Sequence, residues 1–153
     1  MRHVHVRMSL IATAALLLAM LGGPAFAQQS EEFGDWVVHY NAINTNLLPP
    51  EVARAYGIQR SGSRALLNIA VLEKHPDALD EPIHASVTAS AINLTGQRRD
   101  IALREIEDQG AIYYIGTFRI HDEETLTFSI QVKPGRSEQP AREITFRQQF
   151  FTG

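Results

Sequence analysis

Cysteine is absent from all 153 residues of this chain, and methionine occurs only at Met1, Met8 and Met20. From Gln28 onward the chain contains no sulfur. That excludes disulfides, thiolate catalysis, acylation of a lipoprotein cysteine and thioether copper sites for this part. Long hydrophobic runs are also scarce. The longest, Ser9–Leu21, spans 13 residues, well short of the roughly 20 needed to cross a bilayer as a helix. Basic charge is in deficit: residues 28–153 hold 12 basic and 17 acidic residues, a formal charge of −5. A mildly acidic chain is a poor partner for nucleic acid or anionic lipid. Among catalytic signatures we read no G-x-S-x-G elbow, phosphate loop, H-E-x-x-H or paired-carboxylate motif.

The N-terminus carries a positive signal. Arg2 and Arg7 precede the apolar run, Gly22-Gly23-Pro24 would break a helix, and Ala25-Phe26-Ala27 is an A-x-A site. The pattern predicts a secretory signal peptide over residues 1–27, a mature start at Gln28, and a soluble periplasmic protein of a Gram-negative bacterium with no membrane insertion after cleavage. Residues 28–153 are one domain's worth of chain. A domain of that size buries roughly two-thirds of its unfolded surface and needs no metal or disulfide to be stable.

After a polar, mobile tail at Gln28–Glu32, period-two patterning dominates. Strands are predicted over Phe33–Asn41, Arg64–Leu72, His84–Ile92, Ile101–Ile106, Ala111–Ile120, Leu126–Lys133 and Glu143–Phe151. In the third of these, Ala85, Val87, Ala89 and Ala91 face inward and His84, Ser86, Thr88 and Ser90 outward. Trp36, Leu67, Ile69, Val87, Tyr114, Phe128, Ile130 and Phe146 are the expected core. The Asn44–Ser63 connection carries helix signals: Pro49 and Pro50 in the first turn, Glu51 at the positive end, an apolar stripe of Leu48, Val52 and Tyr56, and Gly57 just past the end. It predicts a helix over Pro49–Tyr56, lying on the sheet or capping an open end of the sandwich. About seven strands, one short helix and no crossover helices give an all-β, antiparallel, immunoglobulin-like sandwich. An outer-membrane barrel fits less well, because the strand faces are too polar for lipid and lack aromatic girdles.

Candidate chemistry is thin. Arg54, Arg60 and Arg64 flank Ser61-Gly62-Ser63, where guanidiniums and loop N–H groups could hold a carboxylate or phosphate; solvated loop arginines, or Arg60 satisfying backbone carbonyls where the connection ends, are the simpler readings. His39, His75, His84 and His121 show no ligand spacing, although His39 and His84 could meet across strands. No cofactor or metal is called for by this pattern. The candidate binding set is Arg54, Arg60, Ser61, His39 and Tyr56.

Several segments resemble a family of exported Gram-negative proteins catalogued only as a domain of unknown function. They are Val38–Ile43, Leu48–Ile58 with Arg60-Ser61, Leu67–Val71, Asn93–Gln97 and Ala111–Ile115. The resemblance covers nearly all of residues 28–153. It implies a small periplasmic β-sandwich and assigns no activity or catalytic residues.

Function is therefore expected to be a non-catalytic binding or interaction module. The long connection would be its recognition element, and an envelope protein, a peptide or a small anion its partner. The alternative is a small enzyme or metal carrier using His39 and His84.

Overall fold

The computed structural model describes residues 29–135, 138 and 140–153. The expected signal peptide and its cleavage before Gln28 lie outside the described residues. Two antiparallel sheets face each other. The first contains β1 (Gln29–Phe33), β2 (Trp36–Asn44), β3 (Arg64–Glu73), β8 (Ala111–Arg119) and β7 (Arg104–Asp108) in that order, and the short β4 (Glu81–Pro82) also pairs with β3. The second runs β10 (Arg142–Phe150), β9 (Glu124–Pro134), β5 (Ala85–Asn93) and β6 (Arg98–Ile101).

Alternation explains the core. Trp36, Val38, Tyr40, Leu67, Ile69 and Val71 of the first sheet meet Phe128, Ile130, Ile144 and Phe146 of the second. Phe128 stacks on Phe146 with ring centroids 4.5 Å apart, and Phe118 meets Phe128 edge-on at 5.4 Å. Small Ala89 and Ala91 on β5 make room for these rings. All of the expected core residues are buried except Val87, which is only half-buried because it lies near the start of β5, at the margin of the sandwich.

Two strand assignments need correction. The polar segment before Phe33 is not a tail: Gln29–Phe33 pairs with Tyr40–Trp36 as an edge strand, since backbone pairing requires no apolar side chains. The segment read as a single strand over Ile101–Ile106 is two strands in different sheets. β6 ends at Ile101, and the chain bends through Ala102-Leu103 into β7. Gly116 of β8 permits that bend, because a Cβ there would collide with the Ala102 carbonyl and lie 2.9 Å from the Ile101 side chain.

The expected helix is α1 (Pro50–Ala55), with Pro50 in the first turn. Its end is a Schellman motif: Ile58 N–H donates to Ala53 C=O at 2.7 Å and Gly57 N–H to Arg54 C=O at 3.2 Å, with Gly57 at φ +64. Leu48, Val52, Tyr56 and Ile58 pack on Ile43, Leu66 and Ile115, burying a second apolar cluster on the outer face of the first sheet. Each such side chain contributes about 1.5–3 kcal/mol by leaving water. The base of the excursion is clamped by buried Thr45, whose Oγ1 donates to Ser61 C=O at 3.0 Å and accepts from Ser61 N–H at 2.8 Å.

Candidate functional site

β7 is an edge strand whose polar residues face the wrong way for a simple sandwich. Ile106 pairs with Tyr113 and joins the outer cluster beneath α1. Glu105 and Glu107 pair with Tyr114 and Ile112, so both carboxylates share the face that looks toward the second sheet. Two carboxylates two residues apart on one face repel each other unless a hydrogen-bond donor or a cation stands between them.

His84 occupies that position. β4 lies beside β3 on the flank that β8 takes further along, and Ile83 N–H donates to Val71 C=O at 3.0 Å. The chain then crosses to the second sheet, where Ala85 N–H donates to the Tyr114 hydroxyl at 2.7 Å. His84 is caught at the crossing. Its Nδ1 lies 2.8 Å from Glu105 Oε1 and its Nε2 3.1 Å from Glu107 Oε1. One potential ligand atom from each of the three residues falls within 4.8 Å of the others. The Tyr114 hydroxyl donates to Glu105 Oε1 at 2.9 Å. One buried phenol thus fixes both the start of β5 and the orientation of Glu105, the outer-shell support usual around metal-binding carboxylates.

The electrostatics follow from these contacts. The hydrogen bond from His84, then that from Tyr114, holds the Glu105 carboxyl below the usual carboxylate range. Burial, reinforced by the acceptor Glu105, pushes the Tyr114 hydroxyl up to about 12. Tyr114 therefore remains a proton donor to Glu105 at neutral pH. The triad itself is open to solvent, with side-chain exposures of 63% for His84, 40% for Glu105 and 61% for Glu107. Inward-facing charges on an edge strand also discourage pairing with another chain.

The residues picked out in the sequence lie elsewhere. His39 is half-buried on β2, paired with Ser30 and Ala70. His39 alternates with the core residues Val38 and Tyr40 and so lies on the outer face of the first sheet, whereas the carboxylates that hold His84 lie on its inner face. His39 and His84 therefore do not meet. Arg54 is exposed in the last turn of α1. Arg60 donates to Asn46 C=O at 2.7 Å, and the Ser61 hydroxyl lies 3.1 Å from that of Ser63. Tyr56 is buried and donates to Asp108 Oδ2 at 3.1 Å; burial, then that hydrogen bond, pushes its hydroxyl up to about 12. Each of the last three has a partner within its own fold. Glu105 and Glu107 were missed. Their signal is the Glu-Ile-Glu spacing, a pair of carboxylates on one strand face, which the absence of any motif-like pattern around it concealed.

Comparison with known proteins places this geometry in context. Residues 30–153 match the model of a family described as a domain of unknown function, DUF4426. A crystal structure of a DUF4426 family protein from Pseudomonas aeruginosa PAO1 is 37% identical and superposes with a TM-score of 0.69, over 81% of this chain and 94% of that one. FetP of uropathogenic Escherichia coli strain F11 has a similar fold at 8% identity, with a TM-score of 0.59 over 82% of this chain and 95% of its own. A copper-bound variant of FetP gives the same TM-score, 0.59, at 9% identity and with the same coverage. No curated protein matches in sequence. Among the described residues no helix is long and apolar enough to cross a membrane.

Proposed function

The chain belongs to the DUF4426 family, and we propose that it is a non-catalytic, periplasmic binding protein whose ligand is a divalent transition-metal ion held by His84, Glu105 and Glu107. The observation that carries this reading is a single imidazole set between two carboxylates, one of them oriented by a buried tyrosine. One nitrogen and two oxygen donors suit Zn²⁺ or Cu²⁺, with the remaining positions left to water. The soft sulfur ligands that favour Cu(I) do not occur after residue 27. The copper-bound FetP variant supports the reading by showing that this fold can carry such an ion.

Binding exchanges the two His84–carboxylate contacts for metal bonds. The imidazole must be neutral and both carboxylates ionised, so affinity falls as acid protonates these ligands. The test is calorimetric titration of the periplasmically purified protein with Zn²⁺ and Cu²⁺. One equivalent should bind, and His84→Ala and Glu107→Gln should each weaken it by about 10–100-fold or more. Unchanged affinity in His84→Ala would refute the site.

A further inference from the structure

The outer face of the first sheet carries a groove of about 600 Å³, between the Gly57–Gln59 segment after α1 and the Ala102–Arg104 bend. Arg64 and Arg104 both line it. Arg64 donates to Thr117 Oγ1 at 3.0 Å, and Arg104 donates to the Tyr56 carbonyl at the end of α1. Among the described residues neither guanidinium has a carboxylate partner, whereas Arg98 and Arg99 are paired with Asp100 and Glu124. Each guanidinium has five N–H donors, and these contacts use one from each. In a net acidic chain, two arginines without acidic partners in one concavity are complementary to an anion.

The groove is also apolar in one direction. Ile58, Leu66 and Ile115 line both it and a small cavity beneath α1. Ala102 and Leu103 add apolar atoms to the groove's wall. Charge at one side and apolar side chains at the other describe an amphipathic ligand.

We propose that this groove binds a small organic carboxylate with a short apolar body. The carboxylate sits at Arg64 and Arg104, and the body lies along Ile58, Leu66, Leu103 and Ile115. The site is separate from the His84 cluster, which faces the other side of the sheet.

The test is NMR titration of the periplasmically purified protein with hexanoate, hexanol and inorganic phosphate. Hexanoate should give saturable shifts at Ile58, Leu66, Ile115 and Gly116. Arg64→Gln should weaken it about tenfold, the worth of a charge-assisted hydrogen bond. Arg104→Gln should do the same and provides a second reading should Arg64→Gln perturb β8 through Thr117. His84→Ala should leave hexanoate binding unchanged, which keeps the result independent of the metal reading. Absence of saturable hexanoate shifts at these residues would overturn the proposal. So would hexanol or phosphate binding as tightly as hexanoate, or wild-type affinity in both folded arginine variants.

Discussion

The Asn44–Ser63 connection and the β7 edge are both rich in polar side chains, but they use them differently. In the connection, Thr45 and Arg60 bond to backbone groups of Ser61 and Asn46, and α1 is closed by its own Schellman bonds. At the edge, His84, Glu105, Glu107 and Tyr114 bond chiefly to one another's side chains. A polar group that satisfies a backbone group cannot leave without orphaning it. Titratable side chains that satisfy each other can exchange those partners for an ion and keep the fold. The polar groups of the connection therefore hold the fold together, and those of the edge are the ones the proposed metal site would use.

The largest expected effect lies in the connection. Leu48→Ala removes a fully buried side chain from beneath α1 and should cost about 2–5 kcal/mol in chemical denaturation, from lost transfer energy and the cavity left behind. A loss under about 1 kcal/mol would mean that α1 is only loosely attached. Next is Thr45→Val, which leaves the Ser61 N–H and C=O without their partner and should cost about 1–3 kcal/mol. Arg60→Ala should cost at most about 1 kcal/mol, because its bond to Asn46 is exposed to water. A larger loss would place Arg60 among the principal ties of the loop.

The edge should respond to acid instead. The Glu105 carboxyl is lowered from its ordinary value of 4.5 by His84 and Tyr114. Its contribution to stability is therefore fully present above that value and is lost as pH falls through the lower folded one. Glu105→Gln should flatten this part of the acid limb in thermal melts taken between about pH 5 and 3, with little change at neutral pH. An identical acid limb in wild type and variant would show that the His84–Glu105 contact does not persist in solution.

The sandwich was legible because period-two alternation and turn residues are local signals, and so was α1, whose prolines, apolar stripe and Gly57 lie within ten residues. β1 was missed because Gln29–Glu32 carries no alternating apolar face, and the β6–β7 break because a change of sheet leaves no mark in composition. The triad could not be read for a different reason. His84 and Glu105 are 21 residues apart, and only the crossing from β4 to β5 and the edge position of β7 bring them together. The loop arginines drew attention because they cluster in sequence, yet Arg60 turns to a backbone carbonyl while Arg64 shares a groove with the distant Arg104.

The central claim is that His84, acting with two carboxylates, holds the metal. Electron paramagnetic resonance of the stoichiometric Cu²⁺ complex tests it most directly, because nitrogen ligands split the copper signal and oxygen ligands do not. Coupling to one imidazole nitrogen is expected, lost in His84→Ala and retained in His39→Ala. Coupling that survives His84→Ala, or that requires two imidazoles, would contradict it.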